Sequence, residues 1–217
     1  MDFEKYAHER PMNGKVSPLY VDFFMRYARP VLGRDCRVLD YGCGDGKYLD
    51  FFQGFARPEN VFGAEISNVR VERCRRLGWK NVVKVGKFEP LPFKDAFFDF
   101  INFDQVIEHI PAGEIPFYMK EFGRVLSNSG VILVMTPNYP IKRFYDVWNA
   151  LQVMDLKKIK DDPTHVAKYN FKRLRSVASA SFDEIRIEPT GGFLWNRVKR
   201  DFFSHKIIGL FKKRMQR

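Results

Sequence analysis

Residues 38–65 of this 217-residue chain, VLDYGCGDGKYLDFFQGFARPENVFGAE, decide its fold. The segment Arg37–Tyr41 is a short apolar run with the pattern of a buried strand. Three glycines at alternate positions follow it, and the amphipathic stretch Gly46–Phe55 predicts a helix. A second apolar run, Asn60–Glu65, ends on an acid. Strand, glycine turn, helix and strand in this order predict an α/β fold with parallel strands.

The same alternation continues as far as residue 136. The predicted elements are a helix over Ser67–Leu77, with Ser67 as its N-cap and Gly78 as its C-cap, strands over Asn81–Val85 and Phe98–Phe103, a helix over Glu114–Leu126 ended by an Asn128-Ser129-Gly130 turn, and a strand over Val131–Thr136. This rhythm predicts a doubly wound, mostly parallel sheet with helices on both faces, in one domain spanning residues 1–217.

The segments outside this alternation are less regular. Residues 138–170 form a long polar and aromatic connection, which we expect to be an insertion on the substrate side. A helix over Phe171–Ala180 and a strand over Phe182–Glu188 follow. A last antiparallel strand over Lys206–Lys212 and a short helix over Trp195–Phe203 are alternatives for the end of the chain. Residues 1–36 are expected to form an N-terminal helical lid, with a helix over Leu19–Ala28.

The turn Asp40–Gly46 and the acid Glu65 predict the ligand. Glycines allow positive φ and let a ligand approach the bare backbone. An acid at the end of the second strand accepts ribose hydroxyls in doubly wound folds. The G-x-G-x-G spacing departs from the G-x-G-x-x-G of dinucleotide sites, and Asp40 would repel a pyrophosphate while it suits an ammonium group. These demands favour S-adenosylmethionine (SAM) over a nicotinamide cofactor; a glycine turn in an unrelated α/β fold is the alternative.

Several motifs then resemble the class I SAM-dependent methyltransferases, and among them the small-molecule subgroup of ubiquinone-type and sugar-type enzymes. They are VLDYGCGDGKYL (38–49), GAEIS (63–67), LPFKDAFFDFINFDQVIEHI (91–110), EFGRVLSNSGVILVMTPN (121–138) and DPTHVAKYNFKRLRS (162–176). The resemblance covers about residues 38–187. It implies a Rossmann-like methyltransferase fold with seven strands, one of them antiparallel.

The resemblance also implies a cofactor site for SAM, with S-adenosylhomocysteine as the product. The glycine turn would hold the methionyl part, Glu65 the ribose and Ile66 one face of the adenine, while the backbone at the exit of the fourth strand lines the cofactor. The expected cofactor residues are Asp40, Gly42, Cys43, Gly44, Gly46, Glu65, Ile66, Phe88, Phe103 and Asp104. Lys87 is a departure, because it stands where the family often has an acid that accepts the adenine amino hydrogens. Glu89 or a backbone carbonyl would then take over that role.

Two histidines are candidate catalytic groups. His165 lies in the connection after the fifth strand, where substrates of this fold usually bind, and we take it as the better candidate base. His109 follows the fourth strand as a second base or a substrate-orienting group, although an imidazole that stabilises the local turn is the alternative. Positioning alone supplies much of the rate in methyl transfer, so a dedicated base is not required. Tyr20 either packs in the leading helix or contacts the methionyl carboxylate.

The basic and aromatic residues of the chain indicate which partners it could contact. The net charge is +11, and residues 191–217 carry +7 of it in a basic C-terminal segment. That segment could contact a membrane surface or a nucleic acid, and a solvated charged end is the alternative. Phe144, Tyr145, Trp148, Leu151 and Met154 have helical spacing, and we expect them to pack on the core, with an apolar substrate pocket or a membrane-facing surface as the alternative.

The expected function is methyl transfer to an O or N atom of a small-molecule, sugar or lipid-linked acceptor. An RNA- or DNA-directed methyltransferase and a non-catalytic SAM-binding protein remain alternatives. The chain lacks an apolar run near the ~20 residues that a membrane span needs. The N-terminus does not have the pattern of a secretory signal, and Cys36, Cys43 and Cys74 lack metal-ligand spacing. A cytoplasmic protein, in peripheral contact with a membrane at most, is expected.

Overall fold

The computed structural model describes residues 2–9, 14–152, 154, 162, 164–192 and 204–214. Its centre is a sheet of seven strands: β1 (Val38–Tyr41), β2 (Val61–Glu65), β3 (Val82–Lys84), β4 (Phe98–Asp104), β5 (Leu126–Pro137), β6 (Phe182–Gly192) and β7 (Ser204–Lys213). The strand order is β3-β2-β1-β4-β5-β7-β6. The sequence order reverses at β1, so the crevice between β1 and β4 is the topological switch point where ligands bind in open α/β sheets.

Only one strand runs against the others. Strands β3, β2, β1, β4 and β5 pair in parallel. Strand β7 is antiparallel to both of its neighbours, β5 and β6. This arrangement confirms the prediction of a mostly parallel seven-stranded sheet with one antiparallel strand, and β7 contains the predicted segment Lys206–Lys212. The alternative helix over Trp195–Phe203 lies outside the described residues.

Helices cover both faces of the sheet. They are α1 (Phe3–Glu9), α2 (Pro18–Phe23), α3 (Lys47–Gln53), α4 (Asn68–Arg76), α5 (Ile115–Val125), α6 (Ile141–Gln152) and α7 (Phe171–Ala178). Alternate residues of β1 enter separate apolar clusters: Leu39 packs in one with Phe122 of α5, and Val38 in the other with Phe52 of α3. Two buried clusters on opposite faces explain why the parallel strands are apolar along most of their length.

Local signals in the sequence predicted the helix ends well. The hydroxyl of Ser67 accepts the backbone N–H of Arg70, and Gly78 follows α4 with a φ of +95°. Pro18 occupies the first turn of α2, which continues through a π-helical segment over Phe24–Ala28. The predicted helix over Leu19–Ala28 is therefore present, and it changes from an α-helix to a π-helix at Phe24.

Two expectations were wrong. Residues 128–130 do not form a separate turn after α5, because β5 already begins at Leu126 and accommodates them as an irregularity in its pairing with β4. The aromatic group of α6 does not pack on the core: the exposed fractions of Phe144, Trp148 and Leu151 are 67%, 50% and 59%. Leu151 and its neighbours therefore form an apolar strip on the surface.

Among the described residues, no helix has both the length and the apolar character needed to cross a bilayer.

Candidate active site

The glycine turn lies at the carboxyl end of β1. Gly42, Gly44 and Gly46 all have positive φ, of 78°, 57° and 91°. At Gly42 the turn also passes close to Val106, since a Cβ on this glycine would overlap Cγ2 of Val106. Gly42 therefore has the left-handed backbone predicted for it, and the group that comes close to it is the side chain of Val106.

Glu65, at the end of β2, fastens this turn to the next helix. Its Oε2 accepts the backbone N–H of Gly44 at 2.9 Å, and its Oε1 accepts the backbone N–H of Ser67 at 2.9 Å. The side chain is buried. Each carboxylate oxygen can accept a second hydrogen bond, so Glu65 retains the capacity to receive two vicinal hydroxyls.

Asp40 is held by a chain of buried polar groups. The amide of Asn102, on β4, donates to Oδ1 of Asp40 at 2.7 Å, and the hydroxyl of Tyr20 donates to the amide oxygen of Asn102 at 2.7 Å. Among the described residues Oδ2 of Asp40 is buried without a hydrogen-bond partner. Burial raises the pKa of Asp40 to about 7; the hydrogen bond from Asn102 opposes this rise and the charge of Asp104 adds to it.

Asp104 repeats this arrangement at the end of β4. The hydroxyl of Tyr48 donates to its Oδ2 at 2.7 Å, and its Oδ1 is buried with no hydrogen-bond partner in the described part of the chain. Loss of hydration raises the pKa of Asp104. Two carboxyl groups, each with an orphaned buried oxygen, thus lie at the switch point. A buried carboxylate oxygen without a hydrogen-bond partner is costly. The two acids therefore fit a ligand that brings positive charge.

A pocket opens beside the glycine turn. Its lining residues are Phe3, Tyr41, Gly42, Ala64, Ile66, Val85, Lys87, Val106, His109, Ile110, Pro111, Glu114 and Tyr118. Of the predicted site residues, Gly42, Ile66 and His109 contribute to this lining. The pocket is mainly apolar, which suits a planar base.

The other predicted cofactor residues lie around the pocket. Phe88 is half-exposed with a φ of +55°, and its ring packs against Phe117 at 5.4 Å between centroids. The ring of Phe103 is buried in the core beside Phe122 at 5.0 Å, so it cannot stack on a ligand and only its backbone is available. Cys43 is buried with its sulfur against Gly63.

The position after β3 keeps its unusual lysine. Lys87 places its Nζ 5.0 Å from the centre of the Phe3 ring and also lines the pocket. Glu89, which is exposed, folds back against Gly86, so closely that a Cβ on Gly86 would overlap the Glu89 carboxyl. Glu89 thus follows the unusual lysine in sequence, but it is not among the residues that line the pocket.

Helix α1 closes one side of the pocket. The carboxylate of Glu4 accepts hydrogen bonds from the hydroxyl of Ser67 at 2.7 Å and from the backbone N–H groups of Asn68 and Val69 at 2.7 and 3.1 Å. A carboxylate at a helix N-terminus also interacts favourably with the helix dipole. This contact holds Phe3 at the pocket. The sequence predicts an N-terminal lid over residues 1–36, but not the anchoring role of Glu4.

The two histidines lie side by side. Their rings are 5.0 Å apart between centroids. Nδ1 of His109 is 3.0 Å from the carbonyl oxygen of Thr164, and Nδ1 of His165 is 3.1 Å from the hydroxyl of Tyr139. His109 therefore joins the turn after β4 to the distant connection after β5, rather than stabilising only its local turn as the alternative for it states, and it also lines the pocket.

Sequence reasoning missed three polar residues of this site: Tyr48, Asn102 and Glu108. Glu108 is buried, its Oε2 accepts the hydroxyl of Thr136 at 3.0 Å, and burial raises its pKa to about 8. The signal for Asn102 was present, because an amide in the middle of the apolar run Phe98–Phe103 requires hydrogen-bond partners inside the protein.

Comparison with known proteins agrees with this geometry. A family model described as "Methyltransferase domain" matches residues 6–180. A probable S-adenosylmethionine-dependent methyltransferase of Mycolicibacterium smegmatis is 35% identical over 115 residues, which are 53% of this chain and 42% of that protein. The ubiquinone biosynthesis O-methyltransferase of Pelagibacter ubique is 27% identical over 161 residues, covering 65% of each protein. The chain thus spans less than two thirds of the length of these curated relatives.

Solved structures share the whole architecture. The crystal structure of a SAM-dependent methyltransferase from Archaeoglobus fulgidus superposes with a TM-score of 0.64 at 21% identity, covering 97% of this chain and 98% of that one. A Pyrococcus horikoshii protein gives a TM-score of 0.66 at 17% identity, covering 98% and 100%. At these identities the likeness shows the fold. Because the family model matches well over half of the chain, the chain belongs to the class I SAM-dependent methyltransferases, whose cofactor is SAM.

Proposed function

We propose that this chain transfers the methyl group of SAM to an O or N atom of a small-molecule, sugar or lipid-linked acceptor. One observation carries the cofactor part: Asp40 and Asp104 each bury an orphaned carboxylate oxygen beside the glycine turn. When bound, SAM supplies a methyl group on a positively charged sulfonium, together with an ammonium group, a ribose and an adenine. The site offers a complement to each of these parts.

The proposed cofactor residues divide by chemistry. Asp40 and Asp104 would neutralise the cationic methionyl end, and Glu65 would accept the ribose hydroxyls. The apolar pocket would hold the adenine against Ile66, with Glu89 as an acceptor for its amino group. The complete proposed set is Asp40, Gly42, Cys43, Gly44, Gly46, Glu65, Ile66, Phe88, Phe103 and Asp104, with Cys43 and Phe103 acting through their backbone.

We assign His165 and His109 to the acceptor-binding part of the site, where they would orient the acceptor or receive its proton. Both imidazoles lie where the connection after β5 meets the turn after β4, and His109 borders the cofactor pocket. Nδ1 of His109 donates its hydrogen to the Thr164 carbonyl, because a carbonyl can only accept, so in the neutral imidazole Nε2 carries the lone pair. An imidazole in this state can orient an acceptor hydroxyl or receive its proton.

The surface of α6 supports an apolar or lipid-linked acceptor. Phe144, Trp148 and Leu151 follow one another at helical spacing and are mostly exposed, and Val147 and Met154, with exposed fractions of 39% and 91%, extend this strip. An exposed apolar strip of this kind marks a site for apolar ligands or membrane surfaces. The strip lies within the proposed substrate-side insertion, residues 138–170.

The nucleic-acid alternative ranks second. It depends on the basic segment 191–217, yet two of its cations have intramolecular roles. Lys213 donates to the carbonyl oxygen of Leu126 at 2.7 Å, and Arg214 forms an ion pair with Asp183 at 2.6 Å. These contacts fasten β7 to the sheet, so part of the charge serves the fold.

The cofactor assignment is tested by calorimetric titration of the protein with SAM and with S-adenosylhomocysteine. We expect binding in the parent and a loss of about 1–3 kcal/mol in Asp40→Ala and in Glu65→Ala, the cost of leaving polar partners unpaired. Asp50→Ala, which removes an exposed acid of α3, is the matched control and should bind as the parent does. Equal binding by all four proteins would refute the assigned site.

The acceptor assignment is tested by transfer of a labelled methyl group to a panel of phenols, sugars, lipid-linked phenols, RNA and DNA. We expect turnover with members of the first three classes. Tight SAM binding without turnover on any member would favour a non-catalytic SAM-binding protein. Turnover confined to RNA or DNA would favour the second-ranked function.

A further inference from the structure

Glu108, His109 and His165 form a cluster that the cofactor site does not use. One potential ligand atom of each residue lies within 4.8 Å of the other two. Metal–ligand bonds to nitrogen and oxygen are about 2.0–2.2 Å long, so a shared ion needs ligand atoms about 3–4 Å apart. The ligand atoms of the cluster, at separations of up to 4.8 Å, would have to move closer together to share one ion.

The carboxylate of this cluster is buried, and one of its two oxygens accepts a hydrogen bond. Glu108 is 1% exposed, and Thr136 donates to its Oε2 at 3.0 Å. In the described part of the chain, its Oε1 has no hydrogen-bond partner. A buried carboxylate oxygen in this state needs either a proton or a cation, since desolvating it alone is costly.

Each member also has an outer partner of the kind that orients metal ligands. Thr136 holds Glu108, the carbonyl of Thr164 holds Nδ1 of His109, and the hydroxyl of Tyr139 holds Nδ1 of His165. Ligating histidines characteristically use one nitrogen for such a bond and the other for the metal. In such a site Nε2 of each ring and Oε1 of Glu108 would be the ligating atoms.

Backbone hydrogen bonds fix the two segments that carry the cluster. The N–H of Ala167 donates to the carbonyl oxygen of Glu108 at 3.0 Å. The N–H of His165 donates to the carbonyl oxygen of Asp162 at 3.0 Å, and the N–H of Thr164 donates to the Asp162 carboxylate at 2.9 Å. Residues far apart in the sequence are therefore held in one place before any ion binds.

We propose that Glu108, His109 and His165 bind one divalent transition-metal ion at the acceptor edge of the cofactor pocket, where it coordinates an oxygen of the acceptor. Two imidazoles and one carboxylate suit Zn²⁺, Mn²⁺, Co²⁺ or Fe²⁺. Three protein ligands leave coordination positions open, as in catalytic rather than structural sites. The ion's place in catalysis rests on the proposed methyltransferase function, and the binding of the ion does not.

The ion narrows the acceptor to a molecule with a hydroxyl group. When both imidazoles bind the ion through Nε2, neither can act as the base. The ion instead lowers the pKa of the bound hydroxyl, which then loses its proton to solvent. The acceptor oxygen forms its new bond to the methyl carbon, and the electron pair of the carbon–sulfur bond leaves with sulfur. The charges balance, because the oxygen gives up a negative charge as the sulfonium loses its positive one.

The test is a metal titration of tag-free, chelator-treated protein with neither SAM nor acceptor present. Calorimetry with ZnCl₂ and MnCl₂ and visible absorption with CoCl₂ report the affinity and the stoichiometry. We expect one site per chain in the parent and at least tenfold weaker binding in Glu108→Gln and in His165→Ala. His8→Ala removes an exposed imidazole outside the cluster and is the matched control, with binding like that of the parent.

Two further measurements keep the outcomes distinct. SAM affinity of each variant should stay within twofold of the parent, which shows that the fold is retained. The melting temperature of the parent should rise with metal concentration, because an ion that binds the folded state stabilises it. An unchanged melting temperature, or binding that is as tight in both variants as in the parent, would overturn the metal site. Failure of the metal test would leave the methyltransferase proposal intact. Failure of SAM binding with intact metal binding would instead overturn the methyltransferase proposal and keep the metal site.

Discussion

Asn102 donates its amide to Asp40 at 2.7 Å, although 62 residues separate them. Its amide oxygen accepts the hydroxyl of Tyr20, which lies 82 residues away from Asn102 in sequence. The amide is fully buried, and so is the tyrosine. One side chain of β4 thus orients the acid of β1 and ties α2 to the sheet.

Removal of the Tyr20 hydroxyl should destabilise the protein. In Tyr20→Phe the amide oxygen of Asn102 loses its partner while still buried, and we expect the free energy of unfolding to fall by about 1–3 kcal/mol. Urea denaturation measures this change. Tyr27→Phe is the control, because its hydroxyl bonds to the partly exposed Glu188, which water can then solvate, and a smaller loss is expected. Equal losses in both variants would contradict the buried network as the cause.

The affinity for SAM should depend on pH through Asp40. Its pKa rises from an ordinary 3.8 to about 7 on folding, so the ligand-free folded state retains a proton that the unfolded state releases. The stability contributed by this proton is present below about pH 4 and is lost as the pH rises through 7. A cationic ligand favours the carboxylate, so SAM should bind more tightly as the pH rises from 5.5 to 7. Calorimetry across this range should show the trend in the parent and a flatter profile in Asp40→Asn.

Gly42 should tolerate no side chain. In Gly42→Ala the new Cβ meets Val106 and the backbone keeps a φ of +78°, so we expect a loss of about 2–4 kcal/mol in stability together with weaker SAM binding. Gly78→Ala separates the two causes, because Gly78 has a φ of +95° and a Cβ there would have nothing within 4 Å. That variant should lose only about 1–2 kcal/mol. Val106→Ala added to Gly42→Ala should recover the difference, and thermal unfolding measures all three proteins.

Loss of the Glu4 carboxylate should release α1 from the pocket. Glu4→Ala removes three hydrogen bonds at the start of α4, a change that typically costs about 0.5–2 kcal/mol at a helix cap. We expect faster proteolysis within residues 2–9 and SAM binding weakened severalfold as Phe3 leaves. Glu9→Ala is the control, since the contact of Glu9 within the described residues is an exposed ion pair with Lys5 at 3.9 Å, which contributes little to stability. If both variants behave alike, α1 does not act as a lid.

The part of the site that sequence reasoning anticipated is the part encoded by neighbouring residues. The glycine turn, the Ser67 cap and the acid at the end of β2 each depend on a few consecutive residues and a strand–helix context. The contacts of Tyr20 with Asn102 and of Tyr48 with Asp104 depend on which elements become neighbours in the sheet. Local patterns do not contain that information, so these partners emerged only from the structure.

The two errors have different physical origins. The helical spacing of Phe144, Trp148 and Leu151 identified an apolar face but not whether another element covers it. The start of β5 at Leu126 reflects tertiary pairing, because Leu126 pairs with Phe98 of β4. Residues 127–130 have no strand-pairing partner in β4 and form the irregularity before Val131 pairs with Phe100.

Because β7 lies between β5 and β6, this part of the sheet cannot be completed until the end of the described chain has been synthesised. When β5 leaves the ribosome its outer edge has no strand beside it, and β6, made next, cannot fill that place because its position is one strand further out. The outer edge of β5 and the facing edge of β6 stay unpaired until residues 204–213 emerge as β7 and pair with both strands. An unpaired apolar edge invites association with other chains, so the nascent protein is most exposed to aggregation during the interval in which the strand that seals its sheet has yet to be translated.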